Sequence, residues 1–152
     1  MTRITHIIAD AAIGGFFGEY GMLAGAISGV LPDVDLRLFG ESKDYKWHLF
    51  KHRGITHTLL FVFIISAASA AYLLQYHYQM LILVMFLALL SHIALDSLNF
   101  QEEKPFYPLK TGICFKIIKV GGVQEYLFIT LPLLLIFIEV FITKYKYIIK
   151  NF

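Results

Sequence analysis

The stretch QMLILVMFLALLSHIALD, residues 79–96, decides the fold. From Met80 to Leu90 every side chain is apolar, and then Ser91, His92 and Asp96 appear within two turns. A spanning helix needs ~20 predominantly apolar residues, so the run predicts one membrane crossing from Gln79 to about Leu98. Residues four apart share a helix face, with Cβ atoms ~5–6 Å apart. An imidazole and a carboxylate so placed reach one metal ion. Ionisable groups at the end of a membrane helix are costly, which marks His92 and Asp96 as functional candidates.

The composition agrees with this start. The chain has 152 residues, 58% of them hydrophobic and 16% charged, with a mean hydropathy of +0.68. Soluble domains sit near ~45–50% apolar and ~25% charged. One membrane-embedded domain over residues 1–152 is expected. The net charge of +2 is too small to point to nucleic acid. The single cysteine, Cys114, excludes an internal disulfide and a cysteine-based zinc cluster. No cleavable signal peptide is expected, because Asp10 interrupts the apolar segment where its core would lie.

Outward from residues 79–96, a second apolar helix is predicted from about Ile55 to Leu74. The short connection Gln75–Tyr78 makes the two antiparallel neighbours. A third spanning helix is predicted from about Gln124 to Thr143, with Pro132 as a kink. Ile4 to Val30 is apolar and rich in Gly and Ala, but contains Asp10 and Glu19. Read as one helix, it puts His6 ~40 Å from Asp33 at 1.5 Å per residue. Read as a re-entrant helical hairpin turning at Gly18-Glu19-Tyr20-Gly21, it returns His6 to the same side. The hairpin is the expected form. The fold predicted is all-α, with about three spanning helices plus this N-terminal hairpin. Leu36 to Lys51 reads as a polar loop, with Tyr45 and Trp47 suited to a membrane interface. In the loop Asn99–Gly122, the part from Ile113 to Val120 reads equally as a short strand or an interfacial helix.

This topology gathers ligand-type residues on one side. Asp33 and Asp35 follow the hairpin, His52 and His57 precede the next helix, and His92 and Asp96 end the one after. His6 and Asp10 repeat the His-x-x-x-Asp spacing of His92 and Asp96. Any one of these is more simply an interfacial polar group; as a set they point to a metal site. Carboxylates and imidazoles without thiolate suit Zn²⁺, with Mn²⁺ the alternative. Eight candidate ligands exceed the needs of one tetrahedral ion, so two or three ions are expected. Paired metals ~3.5–4 Å apart are the usual device for phosphoester hydrolysis. Arg53, beside His52, is expected to grip a phosphate, or else to serve as a membrane-side anchor. Arg37, Lys43, Lys46, Lys51, Arg53, Lys104, Lys110, Lys116 and Lys119 lie on the side of the site; Lys144, Lys146 and Lys150 lie opposite. The positive-inside rule then puts the site at the cytoplasmic face of the plasma membrane.

With these residues in view, the chain resembles the membrane-bound metal-dependent hydrolases, the inner-membrane group described as LexA-regulated. The motifs that carry the likeness are Thr5-His6, Leu31-Pro32-Asp33-Val34-Asp35, His52-Arg53-Gly54-Ile55-Thr56-His57-Thr58-Leu59, Ser91-His92-Ile93-Ala94-Leu95-Asp96 and Tyr107-Pro108. The resemblance implies a bacterial or archaeal membrane protein with a metal-dependent hydrolase site. A looser likeness is to zinc-dependent phospholipase C and the P1-type nucleases, which collect such His-x-x-x-Asp pairs around zinc. It implies phosphoester chemistry by analogy. A hydrolase of a phosphoester, either a lipid or another substrate at the membrane face, is therefore expected. The alternative is a divalent-metal transporter, or a membrane protein with an inert metal staple. A transporter places its ligands near the midplane on broken helices, whereas most of these sit at helix ends.

Overall fold

The computed structural model describes residues 1–35, 53–109 and 111–149. Among the described residues it is all-helical, without a named strand. The helices are α1 (Arg3–Gly15), α2 (Glu19–Ser28), α3 (Leu59–Leu73), α4 (Gln79–Ser97) and α5 (Leu131–Ile149). Three stretches are long and apolar enough to cross a membrane: Leu59–Tyr76, Gln79–Ser97 and Val123–Lys144, with mean hydropathies of 1.9, 2.1 and 2.3. The loop Leu36–Lys51 and His52 fall outside the described residues.

The N-terminal segment is a helical hairpin. Helices of 13 and 10 residues reach only ~20 and ~15 Å, short of a full crossing each. The turn comes earlier than the sequence suggests. Gly18, at φ +101°, makes it, and α2 already starts at Glu19. Gly21 serves packing instead: a Cβ on Gly14 would stand 2.0 Å from its carbonyl oxygen, and one on Gly25 would stand 2.0 Å from that of Asp10. The two helices thus touch backbone to backbone, as small residues permit in membranes. The turn packs near the far end of the last span, where Gly15 and Gly18 line a cleft with Val140 and Lys144.

α3 and α4 form the expected antiparallel pair, closed by a turn at Leu74–Tyr76 with His77 left-handed at φ 62°. Val62, Leu89 and Ile93 form the buried core between them, flanked by Leu59, Ile65, Phe86 and Leu31. α3 begins later than Ile55. Residues Ile55–His57 form one 3₁₀ turn, and Thr58 then caps the helix by accepting from Phe61 N at 3.1 Å. The last span starts as a helical turn, Val123–Glu125, widens into a π-helical stretch, Tyr126–Thr130, and continues as α5. Pro132 follows directly. A proline cannot donate to the carbonyl four residues back and crowds it, and the widened turn relieves that conflict. α1 packs against α2, α4 and α5, and α4 also packs against α2 and α3, so α1 and α4 together tie the helices into one body.

The segment after α4 is neither a strand nor a helix over residues 113–120. It runs extended across the end of α4, with isolated bridges Asn99–Ile118 and Glu103–Ile113.

Candidate metal centre

His92 and Asp96 lie on the last two turns of α4, facing inward and buried. α2 ends at Ser28, and the turns through Val30 and Pro32 bring Asp33 over them. The 3₁₀ turn before α3 supplies His57. His57 Nε2 and His92 Nε2 stand 3.3 Å apart. Asp33 Oδ1 is 3.6 Å from the first and 3.8 Å from the second. Asp96 Oδ2 is 3.8 Å and 4.0 Å from the same two atoms. A tetrahedral ion with ~2.0–2.1 Å bonds sets its ligand atoms ~3.3–3.4 Å apart. The triangle of His57 Nε2, His92 Nε2 and Asp33 Oδ1 is therefore slightly open of that geometry.

The far nitrogens settle which atoms face the cluster. His92 Nδ1 lies 2.8 Å from Gly29 O, which only accepts, so Nδ1 carries the proton. His57 Nδ1 lies 3.0 Å from Thr56 Oγ1. That hydroxyl spends its own proton on Asp35 Oδ2 at 2.8 Å and so accepts from Nδ1. Both Nε2 atoms are then left with lone pairs aimed at each other. Two buried acceptors in contact, with Asp33 Oδ1 beside them, need a cation or a proton between them; Asp96 Oδ2 already has the Arg53 guanidinium at 3.2 Å. The charges show the same demand. Burial raises the Asp33 carboxyl, but hydrogen bonding to His57 and the His92 and His6 imidazoles outweigh it, holding the group below its ordinary range. Burial pushes His57 down, yet Asp33, Glu103, Asp96 and Asp35 outweigh that and raise it.

His6 and Asp10, from α1, border the cluster. His6 stacks on His92, ring centroids 3.7 Å apart, and its Nε2 is 3.1 Å from Asp96 Oδ1. The Met1 amino nitrogen also contacts Asp96 Oδ1, and Ser91 donates to Asp10 Oδ1. His6 Nδ1 and Asp10 Oδ2 are buried with no hydrogen-bond partner. Ligand atoms of His6, Asp10 and His92 lie within 4.8 Å of one another, as do those of Asp33, His57 and His92. Two possible ligand groups thus share His92.

Of the eight ligands expected, five fall in these two groups: His6, Asp10, Asp33, His57 and His92. Asp96 borders them, its Oδ2 3.8 Å from His57 Nε2 but paired with Arg53. Asp35 stands behind His57, with its Oδ2 3.7 Å from Nδ1, and belongs to neither group. His52 lies outside the described residues. Arg53 is close, but its guanidinium is engaged. Nη2 pairs with Asp96 Oδ2 at 3.2 Å, and Nη1 pairs with Glu103 Oε1 at 2.6 Å and Asn99 Oδ1 at 3.2 Å. Its backbone is left-handed at φ 65°, an uncommon state outside glycine. Glu103 is fully buried, and nothing in the polar run Gln101-Glu102-Glu103-Lys104 marks it out. Glu125, also buried, is an anchor outside the cluster. It accepts from Thr2 N at 2.6 Å, Thr5 Oγ1 at 2.6 Å and Gly121 N at 2.8 Å, tying the start of α1 to the last span.

The donor set is imidazole and carboxylate, which suits zinc or manganese among divalent ions. In comparison with known proteins, the family model described as YdjM inner membrane protein matches residues 1–148. No curated protein and no solved structure matches.

Proposed function

The chain belongs to the YdjM inner membrane protein family, and from that premise we propose that it is a membrane-bound metal-dependent hydrolase of phosphoesters. The observation that carries the proposal is the convergence of His57 Nε2, His92 Nε2 and Asp33 Oδ1 within 3.3–3.8 Å of one another, with Asp96 Oδ2 3.8 and 4.0 Å from the two imidazole nitrogens. A second group, His6, Asp10 and His92, adjoins it. Zinc, with manganese as the alternative, in two ions is the occupancy that this donor set favours.

When bound, such ions lower the pKa of a water toward neutrality and offset charge on phosphoryl oxygens. The chain's own residues do the rest. Gly29 O and Thr56 Oγ1 hold the two imidazoles in the ligating tautomer. Arg53 holds the Asp96 carboxylate, and reaches a substrate phosphate only by releasing Glu103 or Asp96. The position of the cluster at the ends of α4 and the Leu59–Tyr76 span favours a lipid head group as substrate. The basic residues on this side favour the cytoplasmic leaflet of the inner membrane.

Purified protein is tested against phosphoester substrates, lipid and soluble, with and without chelator. Turnover that chelator abolishes and zinc or manganese restores supports the proposal; no turnover with a metal-loaded protein overturns it. The second reading is an inert metal staple. Its support is that all four donors are buried, Asp33 being the most exposed at 6%. That reading predicts loss of thermal stability, and of nothing else, when the metal is removed.

A further inference from the structure

Apart from Asn99, Gln101 and Glu103, which meet Arg53, the described residues of 99–122 take no part in the centre, yet the segment is built unlike a loop in water. Phe100, Phe106, Leu109, Phe115, Ile117 and Val120 are all exposed, Leu109 at 64% and Phe115 at 61%. Lys104, Lys116 and Lys119 stand exposed among them, against one exposed acid, Glu102, among the described residues. Apolar patches of this kind mark a partner or a membrane.

The backbone fixes the depth of the segment. Leu59 N donates to Pro105 O at 2.8 Å, which places Phe106 at the start of α3. Phe115 N donates to Ser97 O at 2.9 Å and Ile117 N to Leu98 O at 3.0 Å, at the end of α4. Gly121 N donates to Glu125 Oε2 at 2.8 Å, beside the start of the last span. The segment is thus pinned to one end of each of the three spans, where hydrocarbon gives way to head groups. We propose that residues 99–109 and 111–122 lie in the head-group layer of the bilayer that the spans cross. Their apolar side chains enter the acyl boundary, and Lys104, Lys116 and Lys119 meet the phosphates of anionic phospholipids. A second copy of the chain fits this surface poorly, because its excess of lysine would face an equal excess. The proposal does not rest on hydrolase activity.

The test uses the full chain in nanodiscs of phosphatidylethanolamine and phosphatidylglycerol. A single tryptophan is placed by Phe115→Trp in a Trp47→Phe background. Phe106→Trp in the same background guards against a variant that does not fold. Lipids brominated near the head-group end of the acyl chain should quench both by more than half, and lipids brominated near the methyl end should quench less. Replacing phosphatidylglycerol with phosphatidylcholine should shift emission to the red, and Lys116→Gln with Lys119→Gln should remove that shift. Emission indifferent to bromine and open to aqueous iodide overturns the proposal in favour of a loop in water. Emission indifferent to both quenchers overturns it in favour of a covering protein copy.

Discussion

Thr56 sets the chemistry of His57 without touching the cluster. Its hydroxyl donates to Asp35 and accepts from Nδ1, which leaves Nε2 as the donor atom for an ion. Residues that orient metal ligands are worth about 10–100-fold in affinity. Thr56→Val is therefore predicted to weaken zinc binding by about that factor in a competition titration, and Thr56→Ser to restore most of it. Equal affinity in all three proteins would show that Thr56 orients nothing. Protons compete at the same atom. Burial lowers His57, but Asp33, Glu103, Asp96 and Asp35 outweigh it and raise the imidazole above its ordinary value, so protons compete for it at higher pH than for a free imidazole. Metal affinity is predicted to be flat at alkaline pH and to fall by about tenfold per unit once pH drops through the His57 value. A pH-independent affinity between pH 6 and 8 contradicts this. That these candidate residues come together was legible in part because spacing carries two pairs: His6 with Asp10 and His92 with Asp96 sit four apart on helices. Glu103 was not, because its burial comes from tertiary contact with Arg53, and no local pattern encodes that.

At the scale of elements, the hairpin is what brings α1 to the site. Its two helices meet at Gly14, Gly21 and Gly25 with no room for a methyl group. Gly25→Ala would place its Cβ 2.0 Å from the Asp10 carbonyl oxygen, and overpacking of this order costs about 1–3 kcal/mol. The variant is predicted to melt several degrees lower and to lose His6 and Asp10 from the centre, with fewer ions retained. An unchanged melting temperature and metal content would mean that the hairpin yields without cost. The hairpin itself was legible from the charge inside Ile4–Val30 and the glycines around Glu19. The exact turn was not. A glycine required for helix contact, Gly21, looks the same in sequence as one required for a left-handed turn, Gly18. The extended path of residues 113–120 was equally hidden, since it is set by hydrogen bonds to Ser97 and Leu98 at the end of α4.

Over the whole molecule, three spans and one hairpin place His6, Asp33, His57, His92 and Asp96 on one side, with His77 on the other. In a Cys114→Ser background, Thr2→Cys and Lys104→Cys are predicted to react with a membrane-impermeant thiol reagent from the same face, and His77→Cys from the opposite one. Labelling of Thr2→Cys and Lys104→Cys from different faces would break the topology and the site with it. The account stands most directly on the metal content of the purified chain. Wild-type protein is predicted to carry at least one equivalent of zinc or manganese per chain, and His92→Ala, the residue common to both ligand groups, to carry almost none while keeping its helical circular dichroism. A wild-type chain that stays metal-free after incubation with either ion, or a folded His92→Ala chain with undiminished metal, would contradict it.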